Sequence, residues 1–217
     1  AFTSGITETG ADTQTIVLTA TAAGVVTADD DVEAYTLQGA GADSITFGGS
    51  DAIRGGQSVD LQGGGADEVT ITNGSFDVGV DASVEIASFV SGTSVLNIGA
   101  GAGGDYDTAD PNAPAAIAAG TDVIHVQNGV AVNLTDIADG GAVESIIADA
   151  ITALGAGSYT ILVDAGDGSG DVGVYQLDLG GAAVDLNTGG FGVEYLATLT
   201  GAGALGAGDV FSAIDNP

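Results

Sequence analysis

Two aspartates, Asp43 and Asp67, stand 24 residues apart, each directly after a glycine turn: Gly39-Ala40-Gly41-Ala42 before the first, Gly63-Gly64-Gly65-Ala66 before the second. Glycine lets such a turn aim its carbonyls inward, and the neighbouring carboxylate adds a hard, charged oxygen. Ca2+ collects about six to eight oxygens of this kind in irregular geometry. Clustered carboxylates with no basic partner suit it better than any softer metal. A second reading stands beside this one, in which both residues only close turns or cap strand starts. Two more acidic groups pose the same choice. Asp105, Asp107 and Asp110 lie beside Pro111 and Asn112 in a glycine-rich stretch, and Asp164, Asp167 and Asp171 sit in an acidic glycine loop. Carboxylates at alternate positions can converge on one ion, whereas a solvated surface loop needs no ion at all. The full EF-hand pattern is absent from the first group, which has no Glu at the twelfth position. The run Asp29-Asp30-Asp31 reads as a solvated turn.

Catalytic chemistry finds little to work with. The chain has no Cys, a single His (His125), and no G-x-S-x-G turn. His125 alternates with Ile124 and Val126, which points it to a polar strand face. Paired carboxylates that hydrolyse sugars usually work beside aromatic platforms and amide or basic contacts, and only 5% of residues are aromatic. The glycine turns lack the lysine of a phosphate cradle, and their acidic neighbours repel phosphate. The expectation is a protein that is not an enzyme.

Charge narrows the partners further. Thirty acidic residues face one basic side chain, Arg54, for a formal net charge of −29. Nucleic acid needs Lys and Arg to displace its counterions, so it is not an expected partner, and neither is an anionic membrane surface. No apolar run is long enough to span a bilayer. So much uncompensated carboxylate repels itself, and cations are the neutralising species that the sequence calls for. Asn73-Gly74-Ser75 and Asn133-Leu134-Thr135 match the glycosylation sequon, a weak pointer to a surface location.

The elements that must position these groups are short strands. Residues 37–46 (LQGAGADSIT) repeat as 61–70 (LQGGGADEVT), giving a unit of strand, glycine turn, Asp, strand. Before the two turns lie Ala34–Leu37 and Ser58–Leu61; after them come Ile45–Phe47 and Val69–Thr72. Thr15–Thr19, Ser83–Ile86, Val95–Ile98 and Asp122–Val126 add further strands, with an insertion at about 103–120. Alternation within each run predicts one buried and one wet face. Helical spacing of Val143, Ile146, Ile147, Ala150, Ile151 and Leu154 predicts one helix, with Gly155 just past its end. Tyr159–Val163, Val172–Leu177 and Tyr195–Leu199 read as strands after it. The expected fold is therefore all-β, a β-sandwich or β-solenoid of short strands with Gly-Asp turns plus one short helix. A soft boundary near 130 divides a repeat-bearing domain, 1–130, from a β-rich domain with the helix, 131–217.

Gly39, Gly41, Asp43 and Ile45, and again Gly63, Gly65, Asp67 and Val69, resemble the glycine-and-aspartate nonapeptide of RTX calcium-binding proteins, G-G-x-G-x-D-x-U-x. In that family, turn carbonyls and the Asp hold Ca2+ between parallel coils. Here Gln38 and Gln62 replace the first glycine, and the copies are 24 residues apart rather than in tandem. The stretch from about 143 to 217 resembles the C-terminal segment of type I secreted proteins: a helix, Ser158–Val163, the acidic loop 164–171, Val174–Leu179, then Leu199-Thr200-Gly201 and Gly208-Asp209-Val210-Phe211. Bacterial S-layer and surface-filament subunits share both features. The resemblance implies an extracellular, cell-surface structural protein that assembles into a homopolymer, with Ca2+ at its turns or between subunits. Two other readings remain open: a calcium-dependent adhesin or carbohydrate-binding module that meets a glycan or cell surface, and a polymer whose acidity is a high-salt adaptation.

Overall fold

A computed structural model of the chain describes residues 15–18, 23–28, 32–48, 56–62, 64–72, 84–99, 105–137, 141–179, 186 and 191–212. In the first half the chain alternates between two sheets. Strands β1 (Thr15–Leu18), β3 (Ala34–Leu37), β5 (Ser58–Asp60) and β7 (Val84–Ala87) enter one sheet, and β2 (Val25–Thr27), β4 (Ser44–Phe47), β6 (Glu68–Ile71) and β8 (Val95–Ile98) enter the other. Every pairing among them is parallel. The repeat sets the register: Tyr35 lies against Val59 and Ile45 against Val69, so each copy is stacked on the next.

Alternation explains the packing of this stack. In β3 and β4 every second side chain is buried, and Leu37, Ile45, Phe47, Val59, Val69 and Ile71 meet between the sheets. Tyr35 and Phe47 pack edge to face across this core, ring centroids 5.9 Å apart. A close approach of backbones fixes one glycine: a Cβ on Gly65 would lie 1.8 Å from the Gly41 carbonyl oxygen. No other residue fits that contact.

The second half continues the first sheet. β9 (Asp105–Ala109), β11 (Thr121–Val126), β13 (Ser158–Asp164), β14 (Val172–Asp178) and β15 (Val193–Thr200) complete a nine-stranded sheet in the order β1-β3-β5-β7-β15-β14-β13-β11-β9. β13–β14 and β14–β15 are antiparallel; β15–β7, β11–β13 and β11–β9 are parallel. β16 (Val210–Ser212) adds a fifth strand to the other sheet, beside β8. Helix α1 (Ala142–Ala150) covers the outer face of the continued sheet, where Val143 and Ile147 pack with Ile124, Val126, Ile161 and Tyr175. Strand β12 (Ile151–Ala153) follows directly on the helix and pairs in parallel with β10 (Ala115–Ala116), which precedes β11.

The expectation of an all-β sandwich or solenoid is corrected by this topology. A nine-stranded mixed sheet joins parallel and antiparallel pairs, a separate five-stranded sheet is wholly parallel, and a helix lies against the mixed sheet in an arrangement like that of α/β proteins. The physical reason is that short-range alternation reports burial and says nothing of which distant strand is the partner. It also assumed one wet face everywhere. β11, β13 and β14 are instead buried on both faces, as strands under a covering helix are. The helix also ends sooner than its apolar spacing predicts, because Ile151 is extended and begins β12. Strands from both sides of residue 130 share the nine-stranded sheet. Among the described residues, no helix is long and apolar enough to cross a membrane.

Candidate functional site

Gly24, Asp43, Asp67 and Ser94 immediately precede β2, β4, β6 and β8, and the parallel register places them in a column. Backbone amides of the next residues bridge the column at 2.8 Å each: Ser44 to the Gly24 carbonyl, Glu68 to that of Asp43, and Val95 to that of Asp67. The side chains run a second ladder. Asp43 Oδ1 accepts from the Gly24 amide at 2.7 Å, and Asp67 Oδ1 accepts from the Asp43 amide at 3.1 Å. Each carboxylate thus satisfies an amide that the sheet leaves over. Both residues are almost sealed from solvent, at 1% and 2% exposure.

Sealing two carboxylates one above the other is costly unless something compensates them. Burial pushes the Asp67 carboxyl above its ordinary range; the bond from the Asp43 amide pulls it down, and the nearby charge of Asp43 raises it again. Asp43 Oδ2 is buried with no hydrogen-bond partner. An orphaned anionic oxygen beside a second carboxylate, with glycine turns at hand, fits a hard cation. The same two residues also do the work of caps, so both readings of the sequence act at one place.

The column changes at its far end. Ser94 stands where an Asp would continue it, and its Oγ accepts from the Val90 amide. The next carboxylate is Asp209, 3% exposed, from the segment before β16, one level beyond Ser94 and one residue out of register with the column. Its Oδ1 accepts from the Gly92 amide, and its Oδ2 from Ser91 Oγ and the Gly206 amide, all at 2.7 Å. In the sequence Asp209 stands out only as part of the C-terminal motif Gly208-Asp209-Val210-Phe211. The signal is Gly206-Ala207-Gly208-Asp209, a copy of Gly39-Ala40-Gly41-Ala42-Asp43 that is one residue shorter.

The other acidic candidates are dispersed. Asp105 and Asp107 lie along strand β9; Asp107 Oδ1 accepts from the Thr108 amide, and Asp110 Oδ1 from the amide and side chain of Asn112. In the 164–171 loop each carboxylate has a different partner. Asp164 meets His125, Asp171 Oδ1 accepts from the Gly201 amide at 2.8 Å, and hydrogen bonds from Ser169 hold the exposed Asp167 carboxyl below its usual range. Asp164, Asp171, Asn128 and Gly166 line a cavity of about 360 Å³. Among the described residues, no three Asp, Glu, His or Cys side chains converge as a ligand set. Asp29-Asp30-Asp31, Arg54 and Asn73-Gly74-Ser75 lie outside the described residues.

His125 is placed differently from its sequence expectation. It shares a strand face with Val123, looks toward the segment before β16, and is 1% exposed. Its Nδ1 is 2.7 Å from Tyr106 Oη on β9, and its Nε2 is 2.7 Å from Asp164 Oδ1 at the end of β13. Alternation alone could not find this trio, since three strands far apart in sequence must pair first.

Compared with protein-family models, with curated proteins and with solved structures, the chain matches none.

Proposed function

We propose that the chain is an extracellular structural subunit of a surface layer or filament, self-assembling through β-edges and stabilised by Ca2+. One observation carries the reading: both sheets finish at the same end in short strands, β1 and β2, with no further described strand beside either. Val17 on β1 and Val25 on β2 are 50% and 67% exposed. Neither strand carries the Lys or Pro with which proteins blunt an edge. A strand from another copy can add to such an edge through main-chain hydrogen bonds.

Calcium enters through the column. Asp43 and Asp67, with turn carbonyls, would hold it, and the ion would supply positive charge where two carboxylates are sealed from water. The remaining acidic candidates have no orphaned buried oxygen to recommend them, so the cation reading rests on these two. A net charge of −29 gives the wider need for cations.

The test is particle size by light scattering and negative-stain imaging, with Ca2+ and with excess chelator. Polymers should form with Ca2+, shorten on chelation, and fail to form in the double variant Val17→Lys, Val25→Lys. A monomer under all these conditions removes the reading, and glycan binding by that monomer would select the adhesin instead.

A further inference from the structure

We infer that protonation of His125 is a hydrogen-bond switch that ties the 201–209 segment, and through it β16, to the nine-stranded sheet. The inference rests on counting hydrogens. A neutral imidazole has one N–H donor and one acceptor nitrogen, and a phenol has one hydrogen to give. Asp164 Oδ1, 2.7 Å from Nε2, accepts only, so the hydrogen of neutral His125 belongs on Nε2. Nδ1 is then the acceptor, and Tyr106 spends its one hydrogen there, at 2.7 Å. The Leu205 carbonyl, 3.4 Å from Tyr106 Oη, receives nothing from the phenol in this state.

One added proton reverses the direction. With both ring nitrogens protonated, Nδ1–H donates to Tyr106 Oη, and the phenolic hydrogen is released to turn to the Leu205 carbonyl. Asp164 accepts from Nε2–H in both states, so the rearrangement runs one way only, toward Leu205. The phenol does not lose its proton in the process: burial, with the charges of Asp164 and Asp209, pushes Tyr106 up to about 12.

The placement gives the switch something to act on. Leu205 lies between β15, in the nine-stranded sheet, and β16, at the end of the other sheet. The same segment is held by Gly203 N to the Gly170 carbonyl, by Gly201 N to Asp171, and by Asp209 to Ser91 and Gly92. Around the trio the titratable groups are Tyr106 from β9, Asp164 from β13 and Asp209 from the segment itself. Among the described residues, His125 is the only side chain able to become positive.

The test uses the full chain. Amide exchange over 201–209, corrected for intrinsic rates, is compared at about pH 8 and about pH 5, with the protonation state of His125 at each read directly from its ring nitrogen-15 shifts. Wild type should exchange roughly fivefold more slowly at the lower pH, the effect of one added hydrogen bond. Tyr106→Phe keeps the ring and removes the relay, and should show no such gain. Nitrogen-15 spectra of neutral His125 should show the hydrogen on Nε2. An unchanged wild type, an equal gain in Tyr106→Phe, or a hydrogen on Nδ1 would each overturn the switch.

Discussion

In the stack of β1 to β8 one contact is made again and again across a near-constant sequence interval. Asp43 to Asp67 and Gln38 to Gln62 span 24 residues, while Gln57 to Val32 and Thr72 to Phe47 span 25. In the second half each tie is made once, over its own distance: His125 to Asp164 spans 39 residues and Tyr175 Oη to the Leu134 carbonyl spans 41. A repeated contact is cheap to specify, because one unit copied satisfies its neighbour's amides and fills its neighbour's core. It is also unforgiving, since an error in one copy is felt by two. A contact made once can fail alone.

That contrast sets the order of expected effects. Gly65→Ala drives a Cβ into the Gly41 carbonyl and should cost the stack about 3 kcal/mol. Gly168→Ala, in open space at a φ of +84°, should cost about 1 kcal/mol from backbone strain alone. Thermal melts of the pair measure the difference, and equal losses would remove it. Next comes Asp209→Asn, which replaces one of two accepting oxygens by a donor facing other donors; a loss of about 2 kcal/mol in denaturant unfolding is expected. Tyr175→Phe strips the Leu134 carbonyl of a buried donor at 2.6 Å and should cost about 1.5 kcal/mol, with the stack untouched.

The smallest effect is a matter of pH. The folded Asp67 carboxyl lies above its unfolded value, so the native state binds the proton more tightly. Its contribution is fully present below the unfolded value and is lost as pH rises through the folded one. In calcium-free buffer, wild type should therefore gain stability over Asp67→Asn as pH falls through the carboxylate range. Added Ca2+ should flatten that difference, and parallel stability curves in both buffers would argue that no cation meets Asp67.

How much of this was legible follows from the same contrast. The repeat of residues 37–46 as 61–70 writes the 24-residue interval between Asp43 and Asp67 into the sequence, yet sandwich and solenoid both fit it, and the parallel stacking of the two copies is visible only in the structure. Val95–Ile98 and Tyr159–Val163 were visible as strands, but whether each pairs parallel or antiparallel depends on chain far away. His125 illustrates the limit. Its neighbours Ile124 and Val126 suggested a wet opposite face, and only the segment before β16 arriving over Val123 makes that face dry. Ile151 and Leu154 are buried as expected, though the chain there is extended, since both helix and strand can bury the same residues.

The placing of β1, β2 and β16 has a mechanical consequence. β2 and β16 are the opposite ends of the five-stranded sheet, about 19 Å apart across four strand spacings. Tension that enters at β1 and leaves through β16 acts along the backbone hydrogen bonds and across the strands. Such a load peels one strand at a time from an edge rather than shearing a whole ladder at once, so under stretch the protein would pay out chain in steps, beginning where its edges are shortest.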